Sequence, residues 1–171
     1  TFGGPEVFKE QEVPKPDLLP GYVLIRVAAT SVNPLDYKIR AGVFQGFTPP
    51  FPVILHGDVA GVIVAVGEGV TQYRIGDEVY GCAGGVAASQ GALAEFMVAD
   101  ADLLSHKPKA LTMEETASLP LVVITAWEAL IDRIKVKKGQ TVLIHGGTGG
   151  VGHIAIQLAK WCGAKVFTTV S

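Results

Sequence analysis

Residues 141–152 read Thr-Val-Leu-Ile-His-Gly-Gly-Thr-Gly-Gly-Val-Gly. Thr141–His145 is short, apolar and rich in β-branched residues, which predicts a strand. Downstream, Ile154–Trp161 carries apolar residues at helical spacing, and Ala164–Val170 reads as a second strand. Between strand and helix, Gly147, Gly149 and Gly152 satisfy the pattern GxGxxG. Each glycine has a physical task. Gly147 can take the backbone angles of a sharp turn, Gly149 lets a diphosphate approach the main chain, and Gly152 lets the helix pack closely on the strand. The free N–H groups at the helix start, from Gly147 through Thr148, Gly149, Gly150, Val151 and Gly152, then face negative charge. A bare glycine pattern is weak. A strand before it, a helix after it and a second strand beyond make it specific for a dinucleotide.

The second strand also bears on which dinucleotide. Sites for NAD place an acid about 20 residues beyond the glycines, where it accepts a hydrogen bond from the ribose 2′-hydroxyl. No Asp or Glu occurs in 153–171, and the corresponding position is Ser171. A serine can donate to a 2′-phosphate that an acid would repel, so the expected cofactor is NADP(H).

Working outward, the rest of the chain has a different texture. Tyr22–Thr30 and Val59–Val66 read as strands, a third begins at Glu78 after the Gly76-Asp77 turn, and Ala92–Val98 is a further candidate. Short strands with Gly and Pro turns favour a barrel-like β domain. Asn33–Ala41 is read as a short helix or turn carrying polar residues. Thr112 and Glu115 have capping-box spacing, Pro120 interrupts, and Val122–Ile134 resumes as helix. The expected division is a β-rich domain over 1–110 and a dinucleotide-binding segment over 111–171.

Composition narrows the function classes. With 49% hydrophobic residues in 171, the chain can bury a core, and a formal net charge of −2 gives no electrostatic reason to expect nucleic acid or an anionic membrane. The apolar runs are shorter than the roughly 20 residues a bilayer requires. The two cysteines, Cys82 and Cys162, form neither a disulfide framework nor a CxxC pair, and reduced thiols suit the cytoplasm.

Several ordered motifs now join the glycine turn: Phe2-Gly3-Gly4-Pro5-Glu6-Val7, Ser31-Val32-Asn33-Pro34-Leu35-Asp36-Tyr37, Gly57-Asp58-Val59-Ala60-Gly61, Gly76-Asp77-Glu78-Val79-Tyr80-Gly81, Ala92-Leu93-Ala94-Glu95-Phe96 and Thr125-Ala126-Trp127. Along essentially its whole length the chain resembles the medium-chain dehydrogenase/reductase superfamily, in its zinc-independent quinone-oxidoreductase (zeta-crystallin-like) branch. The resemblance implies an α/β protein: a GroES-like partial barrel followed by the start of a Rossmann domain, a doubly wound parallel sheet, with the active site in the cleft between them. Such a sheet has about six strands, and only two are visible, so a truncated chain is expected. The resemblance further implies NADPH-dependent hydride transfer to a small-molecule quinone or α,β-unsaturated carbonyl, and a homodimer is expected of the full-length protein. An enoyl-thioester reductase and a non-catalytic NADPH-binding protein remain alternatives.

In the zinc-dependent relatives of that superfamily, the metal ligands would fall at Asn33, Gly57 and Leu121, none of which supplies a thiolate or imidazole. His56 stands one place away, so a slipped alignment rescues one ligand and not three. A metal-free site is expected. The resemblance puts Asn33 near the nicotinamide, where an amide can orient ring or acceptor; alternatively it starts the turn before Pro34. Asp36 either orients neighbours or caps the short helix. Tyr37 is a proton donor or a surface residue. Thr125 either faces the nicotinamide end of the cofactor or is an ordinary helix residue. Asp58 holds site geometry or a turn. Phe44, Phe47 and Phe51 either wall the acceptor pocket or pack beside prolines. His145 ends the strand before the glycine turn and is either packed or catalytic, and His106 and His153 have no partner at ligand spacing.

Overall fold

The computed structural model describes residues 1–87 and 89–170 and divides into two compact units, Thr1–Pro120 and Leu121–Ser171. In the first unit, β1 (Tyr22–Thr30), β2 (Asp58–Val66), β3 (Glu78–Cys82), β4 (Phe96–Asp100) and β5 (Leu104–His106) form one five-stranded antiparallel sheet in the order β4-β1-β2-β3-β5. The β1–β2 register shifts twice, between Leu24 and Ile25 and between Val27 and Ala29. Such irregularities bend a strand and increase twist, which is how an open sheet curls toward a barrel. Alternate residues Val23, Ile25, Val59, Ile63, Val79, Met97 and Ala99 point into one core. Each fully buried branched side chain there contributes about 1.5–3 kcal/mol.

α1 (Pro34–Arg40) follows β1, with Pro34 at its first position, where a missing N–H costs nothing. α2 (Met113–Ala117) opens on the expected capping box: the Glu115 N–H donates to Thr112 Oγ1 at 3.2 Å, and the Thr112 N–H donates to Glu115 Oε2 at 2.9 Å.

The second unit holds α3 (Pro120–Trp127, beginning on the last residue of the first unit), a π-helical turn (Glu128–Arg133), β6 (Thr141–Ile144), α4 (Gly150–Trp161) and β7 (Lys165–Thr168). β6 and β7 are parallel neighbours, as a strand–helix–strand unit requires. α4 sets the small residues Ala155 and Ala159 into a core with Ala126, Leu130, Val136 and Ile144.

Four sequence expectations shift. The units separate after Pro120 rather than near 110, because Lys107 ties the connecting segment to the sheet. Its nearly buried ammonium pairs with Glu78 at 3.3 Å and donates to the Leu111 carbonyl at 2.7 Å. The helical pattern is interrupted after Ala117, and the helix that follows starts at Pro120 itself rather than at Val122. The strand expected over Ala92–Val98 begins only at Phe96, since the preceding N–H groups of Gly91, Ala92 and Leu93 bond to the 54–56 loop. β5 was not expected at all.

Candidate functional site

Two polar regions stand out, one in each unit. In the second unit, β6 ends at Ile144 and the chain turns over Gly146 into α4. The left-handed residue is Gly146, at φ +71, not Gly147. Gly147 is required for a different reason: a Cβ there would collide with Thr168 Oγ1 and approach Ile156 Cδ1 to 2.8 Å. At Gly152 a Cβ would overlap the Gly146 carbonyl and stand 3.0 Å from Gly147 Cα, so the helix reaches the turn only because this residue has no side chain. Above Gly149 a Cβ would meet nothing closer than the Gly146 oxygen at 3.3 Å, which leaves the approach open.

The hydrogen bonds of this segment are fully accounted for. The Gly146 N–H donates to Thr169 Oγ1, the Gly147 N–H to the Thr169 carbonyl and the Gly149 N–H to the Gly146 carbonyl. The N–H groups of Thr148, Gly150, Val151 and Gly152 have no partner among the described residues. Gly149 caps α4 without a side chain. Thr148, Gly149, Gly150 and Val151 are exposed. The result is a row of free donors at the positive end of a twelve-residue helix, an arrangement suited to an anion. These residues fit the diphosphate of a dinucleotide. Ser171, expected opposite a 2′-phosphate, lies outside the described residues.

The first unit builds its polar region from side chains. Asp58, at the start of β2, is fully buried. Its Oδ2 accepts from Ser31 Oγ at 2.7 Å and from Asn33 Nδ2 at 2.8 Å, and the Cys82 thiol also donates to it. The second amide hydrogen of Asn33 goes to Ser31 Oγ at 3.2 Å. Burial, with Asp58 adding to it, pushes the Cys82 thiol up to about 12. Such a thiol is inert at neutral pH.

Asp36 on α1 is also buried, at 4% exposure. It accepts the Asn33 N–H at 2.6 Å and the His56 N–H as well, so it clamps the helix start to the loop before β2. Burial raises its pKa above the ordinary value, opposed by these two N–H donors and by the nearby His56 ring. Beside it opens a pocket of about 300 Å³, reached by Asp36, Tyr37, Arg40 and His56 and walled by apolar side chains that include Leu55 and Leu93. His56 sits there in an unusual state. Its φ is +74, its side chain is 7% exposed, and its Nδ1 is sealed from solvent without a hydrogen-bond partner. A left-handed non-glycine residue costs on the order of 1–2 kcal/mol.

The residues expected from sequence thus fall into three groups. Gly147, Thr148, Gly149, Gly150, Val151 and Gly152 gather at one turn. Asn33, Asp36 and Tyr37 gather around the pocket and the network beside it, but their availability differs. Both amide hydrogens of Asn33 are used internally, and its side chain faces the Asp36 N–H in a capping box at the start of α1. Asp36 is a clamp. Tyr37 is 46% exposed, and its hydroxyl has no partner among the described residues. Thr125 stands apart from both groups in this respect: it is exposed, and its hydroxyl donates back to the Leu121 carbonyl at 2.7 Å.

Phe44, Phe47 and Phe51 do not line the pocket. Phe51 packs edge-on against Phe2 at 5.3 Å, and the aromatic wall is Phe8 instead. His106 packs at a tilt against Tyr73 with ring centroids 5.0 Å apart, while His145 and His153 bond locally to Thr169 and Gly149. The residue the sequence reading passed over is His56, considered there only as a displaced metal ligand. Position 57 has no room for an imidazole, since a Cβ on Gly57 would already lie 2.9 Å from the Gly84 carbonyl.

Comparison with known proteins bears on both regions. Residues 19–109 match the alcohol dehydrogenase GroES-like domain. The chain is 39% identical to an NADPH-dependent alkenal/one oxidoreductase, chloroplastic, from Arabidopsis thaliana, over 99% of this chain and 46% of that protein. An alcohol dehydrogenase superfamily protein from Novosphingobium aromaticivorans superposes with a TM-score of 0.94 at 50% identity, covering 99% of this chain and 52% of that one. The quinone oxidoreductase of Escherichia coli, solved with NADPH, superposes with a TM-score of 0.85 at 31% identity, over 99% of this chain and 50% of the other. The chain spans about half the length of the curated relatives it matches. With a GroES-like domain followed by a glycine-turned strand–helix–strand unit, the chain belongs to the medium-chain dehydrogenase/reductase superfamily, in the branch that includes the quinone oxidoreductases.

Proposed function

We propose that this chain serves NADPH-dependent, metal-independent reduction of a quinone or an α,β-unsaturated carbonyl. The observation that carries the reading is the row of partnerless N–H groups at Thr148, Gly150, Val151 and Gly152, the first three on exposed residues, on a turn where Gly147 and Gly152 leave no room for side chains. The names of the relatives, an alkenal/one oxidoreductase and a quinone oxidoreductase solved with NADPH, support the same cofactor and acceptor class.

The chain's own residues have separable tasks. The turn binds and orients the diphosphate, and Thr125 contributes an exposed hydroxyl oxygen on α3 that can accept a hydrogen bond. NADPH, when bound, supplies a hydride. Asn33, fixed by Asp58 and Ser31, holds the geometry beside the pocket. Asp36 holds the pocket loop in place, and Tyr37 presents a phenol that can donate to an acceptor oxygen. Holding two reactants in register lowers a barrier without a Lewis acid when the acceptor is already electron-poor.

Cys82 and Cys162 are free thiols, which supports a reducing compartment such as the cytoplasm. Among the described residues, no helix is long and apolar enough to cross a membrane. The homodimer expected of the full-length protein belongs to the same proposal, and sedimentation measures it.

The test is NADPH oxidation by the intact protein against quinones, enones and enoyl thioesters. Oxidation with a quinone or enone is expected. Turnover confined to thioesters moves the reading to an enoyl-thioester reductase, and cofactor binding without oxidation by any acceptor identifies a non-catalytic binder.

A further inference from the structure

We propose that the 300 Å³ pocket of the first unit receives the carbonyl oxygen of a neutral, single-ring ketone, enone or quinone, and that the His56 imidazole donates the hydrogen bond that holds it. The proposal rests on the reductase reading for its acceptor class.

The imidazole at position 56 is costly and structurally unnecessary. The loop is fixed by main chain alone: the His56 N–H goes to Asp36, the Ala92 N–H donates to the His56 carbonyl at 2.8 Å, and the Leu93 N–H donates to the Leu55 carbonyl at 3.0 Å. None of these bonds uses the ring. Glycine would take φ +74 freely and asparagine nearly so. A ring that no hydrogen bond of the loop uses, held in a strained backbone on the wall of a cavity, is the signature of a group kept for a ligand.

The ring's surroundings select the ligand. Nδ1 is sealed, so a molecule in the pocket meets the ring through Nε2 or its carbon edge. Burial keeps the ring neutral below its ordinary range, although Asp36 on α1 and Asp58 on β2 pull the other way. Asp58 in turn holds the Cys82 thiol of β3. A proton on Nδ1 would be a buried orphan donor, so the neutral tautomer carries it on Nε2. The pocket therefore offers a donor, and an oxygen acceptor is its complement. Arg40 and Tyr37 are the other polar groups at the cavity, and the Asp36 carboxylate disfavours an anionic ligand directly against the ring. Because negative charge grows on a carbonyl oxygen during reduction, a fixed donor there acts most strongly when it is needed.

The test is a titration of the intact, 15N-histidine-labelled protein with cyclohexanone, without cofactor. The His56 Nε2 resonance should move saturably with the ketone and stay still with cyclohexane. His56→Asn keeps a side chain that tolerates the backbone angle but shortens its reach. It should weaken ketone binding at least tenfold and slow enone reduction about 10²-fold, with NADPH affinity unchanged. An Nε2 resonance that ignores cyclohexanone, or follows cyclohexane equally, overturns the proposal. So does a His56→Asn protein that reduces enones at the original rate, and in that case the reductase reading survives. Ketone engagement at His56 in a protein that oxidises NADPH with no acceptor supports the pocket and sinks the reductase reading alone.

Discussion

The glycine turn of the second unit and the pocket of the first are built from opposite materials. The turn works by leaving side chains out: its donors are main-chain N–H groups, and its shape depends on Gly147 and Gly152 carrying no Cβ. The pocket works by bringing side chains together. Asp36 from α1, His56 from a loop and Asp58 from β2 meet only after the sheet has formed. A main-chain site is specified locally and tolerates changes elsewhere. A side-chain site inherits the stability of every element that supplies it, and its charges make it sensitive to pH.

That contrast can be broken at either end. The largest effect is expected from Gly152→Val, which drives a side chain into the Gly146 carbonyl and Gly147 Cα. Overpacking of this kind costs about 1–3 kcal/mol, and because the strain falls on the phosphate donors themselves, NADPH affinity should drop at least 100-fold by calorimetry. Ketone binding at the pocket should persist. Next comes Asp36→Asn. The amide puts an NH2 group where the carboxylate had a second acceptor oxygen, and an unpaired buried donor costs about 1–3 kcal/mol. Relief from burying a charge offsets part of this, so the urea midpoint should fall by the equivalent of about 1–2 kcal/mol.

The smallest effect is one of pH. Burial depresses the pKa of His56 below 6.5, so between that value and the folded one the unfolded chain binds more protons. Stability is therefore lost as pH falls through this window, by no more than about 1.4 kcal/mol per unit of displacement. Asp36 acts with the opposite sign, in a lower window. Its raised pKa means the folded chain binds more protons above 3.8, and stability falls as pH rises from there through the folded value. His56→Asn should flatten the melting temperature between neutrality and mild acid, and, by removing a ring that opposes the rise in the Asp36 pKa, extend the Asp36 region of the profile upward.

The same contrast explains what could be read from the chain alone. The glycine pattern, the strands β1 and β2 and the Thr112 capping box depend on neighbours a few residues apart, and all were legible. The left-handed angle fell on Gly146 rather than Gly147, because adjacent glycines cannot be told apart by propensity. β5 is three residues long behind a single 3₁₀ turn, too short for any alternation to register. His56 was missed because its meaning lies in Asp36 and the pocket, and no spacing rule links a loop histidine to a helix carboxylate twenty residues earlier in the chain. For the three phenylalanines the chain left two readings open, because clustering in sequence places them beside one another without saying whether they reach the cavity; Phe51 packs on Phe2.

The most direct measurement is a 1H–15N titration of the intact protein with NADPH, following the amides of Thr148, Gly150, Val151 and Gly152. These four should show the largest saturable shifts of any backbone N–H groups and move downfield, as new hydrogen bonds to phosphate require. If they stay in place while NADPH binds elsewhere, the turn is only a glycine-rich connection and the cofactor site proposed for it does not exist.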